Sequence, residues 1–364
     1  ELPGTLMSGA RILSRGGTVL IEGSESGARA QMILARTGGL GIAGAGERGS
    51  ETIVLADSIV MREGATENEF DFTGRVEVMS GPLQLRSEQM AIVAAKAGAE
   101  EAGADAPVAV GAVRSITATG AVRIERDGQV ATAERARFFP ESNRAELEGA
   151  PVVSDGEARV SGVRMRLGPG RVLVRGSADV PVTVELPELP DLGYAAFETA
   201  EADAEDGMGE SGFTPDRVQT EVRSRMLEMV DEGAATRFRF TDAVEVSATN
   251  LTGTCAVMEV FAERKNGGDG GREGAAIDIR RIEAEDAVRI RQRGREATAD
   301  RAVIRPAAGT VVLEGDAVVK DDGGTVSGQR MTLNRGQRRA VVEGGEAPGE
   351  RARITLPEMP GGGF

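Results

Sequence analysis

The sequence predicts an all-β fold: a bent antiparallel β-sheet stack built from tandem repeats. Three observations carry that reading. Apolar and polar residues alternate over short runs that a turn residue interrupts at Gly128, Asn143, Gly156 and Gly170, and again at Gly294, Gly309, Gly323 and Gly336, the texture of half-buried strands joined by reversals. One segment recurs: "VRSITATGAVRIERDGQVATAERARFF" from Val113 lies against "IRRIEAEDAVRIRQRGREATADRAVIR" from Ile279 without a gap. Between the turns a further small or breaking residue returns, at Gly120, Gly149, Gly162 and Gly176, echoed by Asp286, Gly315, Gly328 and Gly344. A glycine inside a strand pattern marks a bulge or sharp bend, so each long strand is expected to fold over there.

Taken from the start, "MSGARILSRGGTVLIEG" at 7–23 repeats the pattern of "VSGVRMRLGPGRVLVRG" at 160–176 and "VSGQRMTLNRGQRRAVVEG" at 326–344. It matches only the end of a repeat, so residues 1–52 read as a partial or truncated unit followed by a Gly-rich connector. "GLGIAGAGERGS" has glycines at dinucleotide-loop spacing, but "ETIVLADSIVM" behind it is strand-like, and a phosphate loop needs a helix there to supply aligned amides. A full unit follows at 53–190, in which "FDFTGRVEV" pairs with the later "FRFTDAVEV", and Asp-Gly between alternating runs predicts a tight hairpin. Residues 191–217, acidic and Gly-rich, read as a flexible linker. The second full unit spans 218–364; its opening, "VQTEVRSRMLEMVDEG", has some helical character, but its match to "LADSIVMREG" favours strand. Two polar, unperiodic insertions at 96–107 and 263–275 fall at matching places and read as surface loops.

Composition narrows the chemistry. The 364 residues include no His and no Trp, with a single Tyr and a single Cys. That removes the commonest general base, His-activated nucleophiles and the usual zinc and haem ligands. Cys255 has no internal disulfide partner and reads as a small buried or half-buried thiol. A net charge of −15 argues against broad nucleic-acid binding, and no apolar run reaches the length of a spanning helix. "NGGDGGREG" near Asp269 occurs once, without the period of a calcium-binding repeat, and Asn250-Leu251-Thr252 has the form of a glycosylation sequon without supporting context. The carboxylates Glu125, Glu134, Glu146 and Glu148 alternate with apolar residues and so face solvent.

The remaining signal is the apolar stripe. Ile116, Ala118, Val122 and Ile124 share one face, with Arg123 and Glu125 on the other, and Val163, Met165, Leu167, Val172 and Val174 continue it while Arg164 and Arg166 point away. The candidate lining comprises these together with Ala131, Ala133, Phe138 and Leu147, and in the second unit Ile282, Val288, Ile290, Ala297, Ala299, Ile304, Leu313, Met331 and Leu333. Two readings stand open: a dry core between packed sheet halves, or a groove whose aliphatic lining suits flexible acyl chains better than rings or sugars.

"ITATGAVRIERDGQVATAERARFF" and "AELEGAPVVSDGEARVSGVRMRL" resemble the OstA/LptA-like domain of lipopolysaccharide-transport periplasmic proteins. The family's small-Thr-Ala-x-x-Ala strand falls at Ala131–Ala136 and Ala297–Ala302, and its Gly-x-x-Met-x-Leu at Gly162–Leu167 and Gly328–Leu333. The resemblance implies a β-taco or β-jellyroll-like solenoid, a periplasmic location, and a non-enzymatic bridge that shields acyl chains of lipopolysaccharide or a related lipid. It implies no cofactor, and partners of the same fold joined end to end; exposed strand edges also favour self-association. Tandem units with an acidic linker depart from the family's usual single-domain bridge. The competing expectations are a structural β-solenoid, as in an envelope scaffold or adhesin stalk, and, less well supported by the residues, a carbohydrate-active β-helix enzyme.

Overall fold

The computed structural model describes residues 5–24, 26–34, 52–96, 110–156, 158–186, 220–233, 235–248, 251–264, 277–292, 294–334, 339–345 and 351–355. The chain divides into two compact units, Glu1–Arg175 and Gly176–Phe364. The first holds β1 (Thr5–Ser8), β2 (Arg11–Arg15), β3 (Thr18–Glu22), β4 (Ala30–Leu34), β5 (Thr52–Ala56), β6 (Ser58–Glu63), β7 (Glu67–Ser80), β8 (Leu83–Lys96), β9 (Val110–Arg126), β10 (Gln129–Phe139), β11 (Arg144–Glu148), β12 (Val152–Ser154), β13 (Arg159–Ser161), β14 (Arg164–Gly168) and β15 (Arg171–Arg175). The second holds β16 (Val182–Leu186), β17 (Thr220–Ser224), β18 (Met226–Asp231), β19 (Ala235–Ala248), β20 (Leu251–Arg264), β21 (Ile277–Gln292), β22 (Arg295–Arg305), β23 (Thr310–Asp321), β24 (Gly324–Asn334), β25 (Arg339–Glu343) and β26 (Arg353–Thr355). Among the described residues the one helical turn is the 3-10 turn Pro140–Ser142. The expected connector at 39–49, most of both insertions, the acidic linker, the sequon's Asn250 and the turn at Gly336 lie outside the described residues.

All pairing within each unit is antiparallel, from β7 through β8, β9 and β10 and from β19 through β24. The segment after Val218 forms strands β17 and β18, as its repeat predicts.

The bends are built by a repeated device. At Gly74–Arg75, Gly120–Ala121 and Gly149–Ala150, and at Asp242–Ala243, Asp286–Ala287 and Gly315–Asp316, two consecutive residues take positive φ. Gly120–Ala121 stands between the pairs Thr119↔Arg135 and Val122↔Ala133, so two residues oppose the single Glu134. This is a bulge, which locally increases twist and turns the strand. On the partner strand the inward parity changes at the bend. Leu83, Leu85 and Ser87 are buried before it in β8, and Met90, Ile92 and Ala94 after it. That shift keeps the apolar residues of both halves on the inside.

The glycine of each Ser-Gly repeat has a different cause. A Cβ added to Gly162 would lie 2.8 Å from Val174 Cγ1 and 3.0 Å from the Arg175 carbonyl oxygen; Gly9 and Gly328 meet Ile21 and Val342, with the backbone of Glu22 and Glu343, in the same way. At these corners two strands approach so closely that no side chain fits.

Candidate apolar binding face

Each unit carries an inner face made of continuous cross-strand rungs. In the first, Ile12, Ile21, Ile59, Phe72, Met90, Ala118, Ala136, Leu147, Met165 and Val174 are successive register partners across ten strands. A second rung runs Met61, Phe70, Ile92, Ile116, Phe138, Ala145, Leu167 and Val172. Beyond the bend a third runs Met32, Val54, Val78, Leu85, Ile124, Ala131, Val153 and Val160. The second unit repeats all three, with Leu227, Phe240, Met258, Ala284, Ala302, Leu313, Met331 and Val342 on the first.

Nearly all the residues expected to line this face are buried: Ile116, Val122, Ile124, Ala133, Phe138, Leu147, Met165 and Val174, and Ile282, Val288, Ile290, Ala297, Ala299, Ile304, Leu313 and Met331. Ala131, Leu167, Val172 and Leu333 are half-buried. Val163 departs from expectation. Strict alternation put it inward beside Met165, but it is 41% exposed. The chain turns a corner at Gly162–Val163, where the two amides bond to the carbonyls of Pro151 and Arg175 instead of continuing the strand. The corner shifts the inward parity between Val160 and Met165. Sequence reasoning also passed over Phe70, Phe72 and Leu85, which are among the most deeply buried residues; the alternation in "FDFTGRVEV" was the available signal for the two phenylalanines, and that in "LQLRS" for Leu85.

The two units differ in how closed this face is. Met61, Phe70, Val78, Leu83, Leu85 and Ile92 are all at most 4% exposed. Their repeat counterparts Met229, Phe238, Val246, Leu251, Gly253 and Val260 are all half-buried. The interior of the first unit is closed along β6 to β8, and that of the second is partly open along β18 to β20.

The outer face is charged and internally compensated. Glu146 stands opposite Arg166 and Glu148 opposite Arg164 in the β11–β14 register, and both pairs are bridged. A hydrogen bond from Arg164 holds the Glu148 carboxyl below its ordinary range. Arg29 does the same for Glu77 at 2.8 Å, with Arg86 adding to it. Arg301 reaches Glu283 at 2.9 Å and Glu314 at 3.0 Å. Cys255 is half-buried on β20 opposite Val244, and burial pushes its thiol up to about 11. Among the described residues no three His, Cys, Asp or Glu side chains gather where they could hold a metal ion, and no helix is long and apolar enough to cross a membrane.

The architecture is a repeat-built, bent antiparallel stack with an apolar inner face and a charged outer one. The chain belongs to the family described as LptA/(LptD N-terminal domain) LPS transport protein, whose family model matches residues 54–168 and again 221–339. No curated protein matches the chain. Among solved structures, LptH of Pseudomonas aeruginosa, described as the LptA-homologous periplasmic component of the lipopolysaccharide transport device, is similar over 42% of this chain and 92% of its own, with 15% identity and a TM-score of 0.26.

Proposed function

We propose that this chain is a non-enzymatic periplasmic carrier that shields the acyl chains of lipopolysaccharide, or a related lipid, within its bent sheets on the way to the outer membrane. The observation that supports it is the inner face of the second unit, where Met229, Phe238, Val246 and Val260 leave aliphatic and aromatic surface half-exposed inside a fold whose outer face is charged. Exposed apolar surface of this kind is retained where something apolar binds. Other domains of the same family are the expected partners: Ile12, the terminal residue of its rung, is 55% exposed although its neighbour Ile21 is buried, and an unpaired strand edge invites another strand.

The test is mass spectrometry of organic extracts from the chain purified out of a bacterial envelope, followed by titration with purified lipopolysaccharide. Stoichiometric co-purifying lipid and saturable binding are expected. The closed interior of the first unit favours a second reading, a structural β-solenoid scaffold. Purification free of lipid together with no binding would leave that reading in place and remove the carrier.

A further inference from the structure

The outer face of the first unit carries a basic island. Ala136, Phe138, Ala145, Leu147, Met165 and Val174 are buried on the inner side of β10, β11, β14 and β15, so the residues that alternate with them point outward. Two outward rungs result: Arg135, Glu148, Arg164 and Arg175, then Arg137, Glu146, Arg166 and Leu173. Arg144, opposite Phe139, extends them. Six arginines share this face with two glutamates, a net +4 on a chain of net −15. Arg164 and Arg166 hold the two glutamates, and none of Arg135, Arg137, Arg144 and Arg175 closes an ion pair with a described residue. Glu134 at the bend and Glu141 in the 3-10 turn stand at the margins.

The fold does not require this charge. The same rungs of the second unit read Arg301, Glu314, Arg330 and Glu343, then Val303, Val312, Thr332 and Val341, with Thr310 in place of Arg144; they carry no net charge. The chain's charge is also unevenly divided: Glu1–Arg175 holds 20 basic and 23 acidic residues, so most of the −15 belongs to the other unit. Charges more than about 10 Å away are screened at about 0.1 M salt. A partner at this face therefore meets the local +4.

The layout of the charges selects the partner. Arginine's planar fork pairs with phosphate, and these forks are spread in two dimensions, on strands about 4.8 Å apart and at outward positions about 7 Å apart along each strand. A polypeptide is gripped along a groove or a strand edge, whereas phosphates spread in a plane match charges spread in a plane. Phe139 and Leu173, both outward and half-buried, add apolar contact, and binding to a lipid surface grows with apolar area plus attraction to anionic headgroups. We infer that the outer face of β10, β11, β14 and β15 docks the first unit on an anionic lipid bilayer, its arginines toward the phosphates. This is separate from the lipid-carrying reading, in which the inner face encloses a lipid; here the outer face meets a membrane surface.

The full chain is floated with vesicles of phosphatidylcholine alone and of equimolar phosphatidylglycerol and phosphatidylcholine. Binding to the anionic vesicles alone is expected at about 0.1 M salt, and none at about 1 M, where the screening length falls to about 3 Å. Arg135→Gln/Arg137→Gln/Arg175→Gln removes three charges without orphaning Glu146 or Glu148. It should weaken binding roughly a hundredfold, each arginine at an anionic surface being worth a little under a factor of ten. Arg239→Gln/Arg289→Gln/Arg330→Gln removes the same charge from the second unit and should change binding little. Melting curves verify that both triples are folded; should the first not fold, Arg137→Gln alone makes the same test with a loss of several-fold. Uptake of a lipid by the inner face does not depend on these arginines, so the first triple tells it apart from docking. Equal binding to both kinds of vesicle, binding to neither, or equal losses in the two triples overturns the inference. If vesicles fail while polyglutamate binds and the first triple alone abolishes it, the face takes an acidic polypeptide and the membrane assignment is wrong.

Discussion

Single residues set the chemistry of the inner face, and Cys255 is the one that reports on it. It stands at the bend of β20, on the same strand as Gly253 and where the first repeat has the buried Ser87. Burial disfavours the charged thiolate, and a backbone hydrogen bond involving Glu285 offsets this only in part, leaving the thiol at about 11 against an ordinary 9.0. The thiolate is the nucleophile, so a raised value means slower alkylation at neutral pH. At pH 8 about one thiol in a thousand is ionised in the folded chain, against about one in ten when unfolded. Iodoacetamide labelling, followed by intact mass, should be slow at pH 8 and still be rising above pH 10, while in denaturant the rate passes its midpoint near pH 9. A folded chain with its midpoint near 9 would place Cys255 in water and contradict its position in the wall.

At the scale of the strand, the bulge decides the architecture. Gly120 lies at φ 81°, and any Cβ there would run into the Glu88 side chain of the neighbouring strand. Gly120→Val therefore combines left-handed strain with a steric clash, and should cost about 2–4 kcal/mol of unfolding free energy by urea titration. The corresponding second-unit position holds Asp286 at φ 62°, which shows that a small polar residue can occupy this conformation; Gly120→Asp should accordingly cost less than valine. Equal losses for the two substitutions would mean that space, and not backbone conformation, is limiting. The outer-face pairs contribute less. Glu148 and Arg164 are both partly exposed, so Glu148→Gln should cost at most about 1 kcal/mol at pH 7. Because the Glu148 carboxyl is held below its ordinary 4.5, that contribution is present above pH 4.5 and is lost as the pH falls through the lowered value.

For the whole molecule, the division into units is itself testable. The repeat in the sequence places the end of the first unit at 190 and the linker after it, whereas the compact units part between Arg175 and Gly176. The strand between those positions, β16, lies along β17 with Val184 opposite Val222, and Val182, Val184 and Val222 are all buried. A fragment of residues 176–364 should thus melt roughly 5 °C or more above one of residues 191–364, which lacks that strand. Coincident melting would show that β16 contributes nothing to the second unit. The sequence by itself determined the all-β class, the repeats, the turns and most of the apolar face, because period-two alternation and Gly or Asp-Gly punctuation are local properties of the chain. It also carried the contrast between Leu85 and Gly253. Only the tertiary structure decided that Val163 turns outward at a corner, that the first unit's interior is closed and that the second's is partly open. Burial depends on what lies across the sheet, and alternation along one strand specifies a side without specifying the partner that fills it.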